Sequence, residues 1–219
     1  MLLRLGETLD AETNRRVHAC ATSLRAQAPG WLVDITPAFA SLTLHVDATR
    51  IGGDDPLRVA HDWLAGWRAR IDDAPVDAHC IEVPVWYGNE AGPDLADVAA
   101  HAGIAIDEAI ARHATGEYTV AMLGFAPGFP YLLGLDATLA MPRHVTPRKR
   151  VEAGSVGIGG AQTGIYPNAG PGGWRLIGRT PLRLFDAQRD PPSLLRAGDR
   201  VRFVAIDAAA FAAVDESLL

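Results

Sequence analysis

Hydrophobic positions near the start of the chain recur with the period of a helix. Val17, Cys20, Ala21 and Leu24 fall on one face, behind a capping residue at Asp10. A second helix is expected to begin at Pro56, because proline is favoured in the first turn. Its apolar face is predicted to contain the following residues: Ala60, Trp63, Leu64, Trp67 and Ile71.

Between and around these helices the apolar positions alternate, which is typical of strands. In Ser41–Val46, for example, Leu42, Leu44 and Val46 alternate with polar residues. The other strands are expected at Leu2–Leu5, Trp31–Ile35 and Cys80–Tyr87. The resulting order β-α-β-β-α-β predicts a split βαβ, or ferredoxin-like, α+β lobe.

The second part of the chain has a different texture. Two short helices are expected at Pro93–Gly103 and Asp107–His113, but Gly124–Arg179 then holds 12 of the 22 glycines. Such density favours short strands joined by tight turns, and closure into a barrel would hide their edges. The strands are expected at the following positions: Tyr118–Phe125, Ser155–Gly159, Trp174–Ile177, Leu182–Phe185 and Arg200–Ile206. A terminal helix is expected over Asp207–Leu219.

Composition and charge exclude several classes of protein. No apolar run reaches the roughly 20 residues of a membrane span, and the N-terminus lacks the features of a secretory signal. A net charge of −6 argues against broad binding of nucleic acid. We therefore expect a soluble, cytoplasmic protein that contacts neither membrane nor nucleic acid.

Common catalytic signatures are missing from the sequence. There is no GxxxxGK[ST] phosphate loop, no nucleophile elbow around a serine, and no histidine spacing typical of a metal site. Gly154–Gly160 is superficially similar to a dinucleotide-binding loop, but the residues after it cannot form the required helix. We expect neither a metal site nor a bound prosthetic group.

The candidate chemistry lies in three segments rich in glycine, proline and arginine. GFAPGFPYLLGL (Gly124–Leu135) is either a rigid barrel corner or part of a binding site. MPRHVTPRKRV (Met141–Val151) is either a solvated face or a site for phosphate or carboxylate. QTGIYPNAGPGGWRLIGRT (Gln162–Thr180) has turns whose backbone amides can bind an anion.

These segments resemble the allophanate hydrolase subunit 1 family. The resemblance is carried by HATGEYTVAMLGFAPGFPYLLGL and by MPRHVTPRKRVEAGSVGIGGAQTGIYPNAGPGGWRLIGRTPLRLFD. EVPVWYGNEAGPDLADVA (Glu82–Ala99) and RAGDRVRF (Arg196–Phe203) fit the same pattern, so the resemblance covers essentially the whole chain.

The resemblance implies a fold, a reaction and partners. The expected fold is a ferredoxin-like lobe over residues 1–80, followed by an all-β cyclophilin-like barrel over residues 81–219. The family includes the B subunit of bacterial 5-oxoprolinase, which works with C and A subunits to open 5-oxo-L-proline to L-glutamate with ATP, together with Mg²⁺. A lone subunit is expected to be inactive.

The candidate site residues lie at strand ends and turns of the matching segments. We expect seven of them to meet in one cleft of the barrel: His113, Tyr118, Phe125, Arg143, Gln162, Tyr166 and Arg179. A phosphate is best held by groups that stay charged, which favours Arg143 and Arg179. By contrast, Arg148, Lys149 and Arg150 are expected to be solvated or to dock a partner. We assign Arg143, Gln162, Arg179 and His113 to catalysis and Tyr118, Phe125, Tyr166, Asn168 and Trp174 to binding of substrate or ATP.

Two other functions fit the same resemblance. One is a regulator similar to KipI, a sporulation kinase inhibitor, which would use the proline-bearing barrel face without chemistry. The other is a carboxyltransferase-type lobe of a urea carboxylase-like system, which would need a biotin-carrying partner.

The chain departs from the family pattern at its start. Family members usually have a Gly-Asp-containing segment before the first strand, whereas Met1 lies inside that strand. This departure predicts a misassigned start codon or a clipped first strand at the edge of the lobe.

Overall fold

The computed structural model describes residues 1–68 and 79–214. These fall into two compact units, Met1–Asp77 and Ala78–Leu219. The predicted boundary between residues 80 and 81 stays a prediction, because it borders the undescribed residues 69–78. Within the described ranges, no helix has the length and apolarity needed to cross a membrane.

The first unit is a small sheet with two helices. Its elements are β1 (Leu2–Arg4), α1 (Ala11–Ala26), β2 (Leu32–Pro37), β3 (Ser41–Val46) and α2 (Pro56–Arg68). The sheet order is β1-β3-β2, with both pairs antiparallel. The predicted inner faces are confirmed, since Val17 and Leu24 of α1 and Trp67 of α2 belong to one core with the sheet. Ile71 lies outside the described residues.

The sequence pattern placed the fourth strand in the first lobe, but the structure places it in the barrel. Cys80–Tyr87 does form a strand, β4, but it pairs with two barrel strands. Its apolar side chains Val83, Val85 and Tyr87 are buried in the barrel core, and the two distant strands with which it pairs decide its place. The ferredoxin-like arrangement is therefore not confirmed, and the first unit has three strands among residues 1–68.

The second unit is a closed barrel with added helices. Its further elements are α3 (Leu95–Ala102), α4 (Ile106–Ala114), β5 (Tyr118–Leu123), β6 (Pro130–Leu133), β7 (Arg148–Val151), β8 (Ser155–Gly159), β9 (Gln162–Ile165), β10 (Gly170–Gly172), β11 (Arg175–Arg179), β12 (Arg200–Ile206) and α5 (Ala208–Ala213). The barrel order is β11-β4-β12-β5-β6-β9-β8, and β8 pairs with β11 to close it. The barrel is mixed because β4 and β12 are parallel, and β7 and β10 form a separate two-stranded sheet.

Two expected elements of this unit differ from the structure. Leu182–Phe185 is not a strand: Leu184 is buried, and Phe185 makes only an isolated bridge to Ser193. Pro181 before this stretch, and Pro191 and Pro192 before its partner Ser193, lack backbone donors, which limits the ladder. The terminal helix α5 ends at Ala213, and residues 215–219 lie outside the described part of the chain.

Candidate functional site

A cavity of about 270 Å³ opens on the outer side of the barrel. Three segments line it: the β5–β6 loop, the stretch before β7, and the stretch from β9 to β11. All three come from the glycine- and arginine-rich region that the sequence singled out. The lining residues are Phe125, Phe129, Tyr131, Arg143, His144, Pro147, Tyr166, Pro171, Gly172, Gly173 and Trp174.

The indole of Trp174 packs against three glycines of β8 and β9. A Cβ added to Gly159 would lie 2.5 Å from Cε2 of Trp174, and one added to Gly164 would lie 3.0 Å from its Cζ3. A Cβ at Gly157 would also come within 3.1 Å of the tryptophan. The missing side chains let the large ring pack against the strands, so Trp174 is 4% exposed although it lies outside the barrel.

Arg143 lies over the ring of this tryptophan. Its Cζ lies 5.3 Å from the centre of the Trp174 ring, within the range of a cation–π contact. The side chain itself is exposed. Neither aspartate nor glutamate is among the residues that line the cavity, so its electrostatics favour an anion.

Further aromatic rings complete the cavity wall. Tyr166 is buried, its Oη accepts a hydrogen bond from the N–H of Trp174 at 3.4 Å, and burial raises the pKa of its hydroxyl. Phe129 packs edge-on against both Tyr166 and Trp174. By contrast, Phe125 is 68% exposed and has a positive φ of 66°, which turns its ring out of the β5–β6 loop. The cavity thus has a rigid aromatic floor and one exposed aromatic residue at its rim.

Behind the cavity lies a buried carboxylate, Asp94, which was not singled out from the sequence. Its Oδ1 accepts a hydrogen bond from Nη2 of Arg148 at 2.7 Å, and its Oδ2 accepts one from the N–H of Leu176 at 2.7 Å. Burial alone would raise the pKa of this carboxyl, but the bonds from Arg148, Leu176 and His144 together lower it. Asp94 is therefore ionised at neutral pH.

The third partner of Asp94 is His144, which lines the cavity. Nε2 of His144 lies 3.2 Å from Oδ2 of Asp94. Because an ionised carboxylate can only accept, we assign the proton of the neutral imidazole to Nε2. This leaves the lone pair of Nδ1 available. The pair has the arrangement of a general base held in one tautomer by a buried carboxylate.

The basic run 148–150 does not behave as one group. Arg148 pairs with Asp94 and its side chain is only 31% exposed, so it is not the freely solvated arginine that the sequence suggested, while its use in docking a partner stays a prediction. Its other terminal nitrogen, Nη1, is buried and has no hydrogen-bond partner among the described residues. Arg150 fits the expectation, because it is exposed and pairs with Glu152, and Lys149 is exposed as well.

Two predicted site residues lie inside the barrel instead of at the cavity. His113 is 1% exposed: Nδ1 accepts from the hydroxyl of Tyr87 at 2.8 Å, and Nε2 donates to Oγ1 of Thr163 at 3.0 Å. Burial lowers the pKa of His113 to about 3, so it is neutral. The Tyr118 hydroxyl donates to the backbone oxygen of His113 at 2.8 Å, and burial raises its pKa. His113 thus links β4 to β9 within the core, and Tyr118 links β5 to α4.

Three further predicted residues are not among those lining the cavity. Gln162 begins β9, paired with Gly159 at the end of the β8–β9 hairpin. Asn168 is exposed in the bend before β10. Arg179 donates from Nε to the carbonyl oxygen of Ala153 at 2.8 Å, and its guanidinium lies over the ring of Phe211. The structure therefore brings together Arg143, Phe125, Tyr166 and Trp174, but it does not bring the other five to the same cavity.

Sequence reasoning missed Asp94 because its context is typical of a helix cap. It follows Gly92-Pro93 and immediately precedes α3, yet its side chain makes no capping hydrogen bond. His144 gave no signal either, because it lies 50 residues from Asp94 in the chain. Among the described residues, no group of three or more His, Cys, Asp or Glu side chains could hold a metal ion.

Comparison with known proteins gives a consistent set of relatives. A family model described as carboxyltransferase domain, subdomain C and D, matches residues 1–195. The B subunit of 5-oxoprolinase from Bacillus subtilis (strain 168) is 45% identical over 213 residues, which cover 94% of this chain and 89% of that protein.

Two solved structures share the fold. The protein TTHA0988 superimposes with a TM-score of 0.80 and 39% identity, covering 95% of this chain but only 40% of that one. This chain therefore spans about 40% of that longer polypeptide. The urea carboxylase of Kluyveromyces lactis gives a TM-score of 0.77 at 20% identity, covering 99% of this chain and 22% of that one, a likeness of fold alone.

Proposed function

Because the chain belongs to the carboxyltransferase domain, subdomain C and D family, we propose that it is the B subunit of an ATP-dependent 5-oxoprolinase. In this proposal it contributes to phosphorylation and ring opening of 5-oxo-L-proline, giving L-glutamate. It works in a complex with C-like and A-like subunits and is inactive alone. Its closed barrel, proposed here to be cyclophilin-like, carries the site.

One observation carries the proposal: His144 lines an anion-favouring cavity and is hydrogen-bonded to the buried carboxylate of Asp94. A lactam is a poor electrophile, and its oxygen becomes a better nucleophile toward phosphorus when the ring N–H loses its proton. A histidine base with a fixed tautomer can accept that proton at Nδ1. Asp94, kept ionised by its three donors, stabilises the imidazolium that results.

The atoms balance in three steps. In the first, the lactam oxygen bonds to the γ-phosphorus of ATP, the bond to the β,γ-bridging oxygen breaks, ADP leaves, and the ring N–H proton passes to His144. In the second, water adds to the phosphorylated carbon and the carbon–nitrogen bond of the ring breaks, which leaves a γ-glutamyl phosphate. The nitrogen takes both protons of that water and the proton held by His144, and so becomes the ammonium group of glutamate. In the third, a second water attacks the acyl phosphate, phosphate leaves, and the side-chain carboxylate of glutamate forms.

The nucleotide is proposed to bind mainly outside this cavity. Pockets for drug-sized ligands measure about 300–1,000 Å³, and the cavity of about 270 Å³ lies below that range. Mg²⁺ prefers carboxylate and other oxygen ligands, and none of the lining residues supplies a carboxylate. The cavity thus fits a small lactam but not the metal-bound triphosphate, which the proposal assigns to the rest of the complex.

The test is reconstitution with partner subunits. The chain is co-expressed with C-like and A-like subunits, and glutamate formation from 5-oxo-L-proline is measured with and without ATP. The expected result is ATP-dependent turnover that His144→Ala removes and the exposed-histidine control His61→Ala does not. Absence of ATP-dependent glutamate formation in a complex that assembles would contradict the proposal and favour a kinase regulator or a carboxyltransferase lobe.

A further inference from the structure

The cavity that is proposed to hold the lactam offers one fully charged side chain to its ligand. Arg143 lines the cavity, is exposed, and has no carboxylate within ion-pair distance among the described residues. Of the other arginines close to the site, Arg148 is already paired with Asp94, and Arg175 donates to the carbonyl oxygen of Pro142. A guanidinium without a counter-charge, in a cavity without acidic lining, is a binding group for an anion.

Arg143 is also held in place before any ligand arrives. The residue before it, Pro142, accepts a hydrogen bond on its carbonyl oxygen from Nε of Arg175 at 3.1 Å. The residue after it, His144, donates its backbone N–H to the carbonyl oxygen of Gly173 at 2.7 Å. With the backbone fixed on both sides and the guanidinium resting on Trp174, little conformational entropy remains to be lost on binding.

The cation–π contact with Trp174 leaves the N–H donors of Arg143 for a carboxylate. A guanidinium over an aromatic face uses that face for the cation–π contact, and its N–H donors lie in its own plane. Those donors match the two oxygens of a carboxylate in a bidentate pair. A phosphate would bind the same donors, but a triphosphate exceeds the cavity, whereas the carboxylate of a small lactam does not.

We propose that Arg143, stacked on Trp174, recognises the carboxylate of the substrate and makes the site selective for carboxylate-bearing lactams over uncharged ones. This inference rests on the proposed function, because it assigns a recognition role within the same cavity. Arg143 then determines specificity, whereas His144 and Asp94 serve the chemistry.

The experiment compares two substrates in the reconstituted complex. One is 5-oxo-L-proline, and the other is 2-pyrrolidinone, which has the same lactam ring without the carboxylate. Substrate-dependent ATP hydrolysis is measured for the wild type, Arg143→Ala, Arg143→Lys and the control Arg183→Ala, an exposed arginine paired with Asp186 away from the cavity lining.

Arg143→Ala is expected to lower kcat/KM for 5-oxo-L-proline by roughly 10- to 100-fold, mainly through KM, and to change the value for 2-pyrrolidinone by less than about twofold. Arg143→Lys should recover part of the loss, because it restores the charge without the bidentate fork. Arg183→Ala should match the wild type with both substrates. Equal losses on the two substrates, or no loss with 5-oxo-L-proline, would overturn the inference while leaving the proposed function intact.

A binding arm separates failure of the inference from failure of the proposed function. Calorimetric titration of the same complexes with 5-oxo-L-proline and 2-pyrrolidinone, without ATP, needs no turnover. If the wild-type complex does not hydrolyse 5-oxo-L-proline but binds it more tightly than Arg143→Ala does, the carboxylate site stands and the proposed function fails. If wild type and Arg143→Ala bind both compounds equally, or neither binds, the inference is overturned.

Discussion

Nε2 of His144 lies 3.2 Å from Oδ2 of Asp94, although the two residues are 50 positions apart in the chain. The imidazole lines the cavity and the carboxylate is 4% exposed behind it. A buried charge is retained only when its surroundings compensate it, and Asp94 has three donors that do so. The pair is thus the feature of the second unit most suited to proton transfer.

The first prediction concerns this base. His144→Ala should lower kcat of the reconstituted complex by roughly 10²- to 10⁴-fold, the usual contribution of a general base, with a small effect on complex assembly. The measurement is steady-state glutamate formation, with size-exclusion chromatography to confirm assembly. A His144→Ala complex with wild-type kcat would remove His144 from the chemistry.

The second prediction separates the roles of Asp94. Asp94→Asn keeps the shape of the side chain but removes the charge that compensates Arg148 and fixes the tautomer of His144. We expect kcat to fall together with a loss of about 1–3 kcal/mol in the free energy of unfolding of the isolated chain. Urea unfolding of the Asp94→Asn and His144→Ala variants gives the comparison. Equal stability of Asp94→Asn and wild type would mean that the Arg148 pair contributes little.

A third prediction concerns Gly159, one of the glycines against which Trp174 packs. Gly159→Ala places a methyl group 2.5 Å from Cε2 of the indole, so the ring must shift and the cavity floor with it. The expected cost is about 1–3 kcal/mol of unfolding free energy together with weaker binding of 5-oxo-L-proline to the complex. Gly170→Ala is the matched control, because a Cβ there meets no atom within 4 Å. Similar binding by both variants would show that the indole position does not matter for the ligand.

The fourth prediction concerns Arg179, which the sequence favoured for phosphate binding. Its Nε bonds to the oxygen of Ala153 and its guanidinium lies 5.7 Å from the ring centre of Phe211. Arg179→Ala should therefore lower the unfolding free energy by about 0.5–1.5 kcal/mol and leave KM for 5-oxo-L-proline unchanged. A large rise in KM with unchanged stability would return Arg179 to the site.

The fifth prediction is a pH dependence of stability that arises from His113. Burial lowers its pKa in the folded chain from 6.5 to about 3, so between these values the unfolded chain binds a proton that the folded chain does not. The free energy of unfolding is therefore unaffected by this histidine above pH 6.5. On acidification toward pH 3, the histidine lowers that free energy by about 1.4 kcal/mol per pH unit.

The pH prediction is measured by urea unfolding at several pH values and by nuclear magnetic resonance titration of the imidazole. The His113 resonance should show no protonation between pH 7 and pH 4.5 in the folded chain. Protonation of His113 within that range, with the fold intact, would contradict the buried, neutral assignment.

The sequence predicted much of the barrel because its apolar and glycine patterns are local. Ser155–Gly159 and Arg200–Ile206 form strands at the expected residues, and the cavity lies in the expected region. The sequence did not reveal which sheet β4 joins, because β4 has the same alternation in a three-stranded sheet as in a barrel. Only its partners, far away in the chain, decide between the two.

The site residues were predicted in part, for a related reason. Arg143 and Trp174 could be predicted because they belong to turns that are unusually rich in glycine, proline and arginine. The environment of His113 could not be predicted, because the sequence does not show whether a histidine on a helix faces a cleft or a barrel interior. Asp94 was not singled out, because a carboxylate just before a helix is typical of a cap, whereas this side chain accepts the N–H of Leu176 instead.

The parallel pair of β4 and β12 has a consequence for how the barrel is made during translation. These are the first and last strands of the barrel, matched over Cys80–Trp86 and Arg200–Ile206, and the ion pair of Glu82 with Arg202 spans 120 residues. β12 lies between β4 and β5, so each of these strands has one unpaired edge until β12 has left the ribosome. The first unit, whose strands lie within its first 46 residues, can pair its sheet well before that. Until its final strand is synthesised, the nascent barrel is therefore an open sheet with unpaired strand edges that can pair with other chains. The barrel closes only when β12 takes its place between β4 and β5.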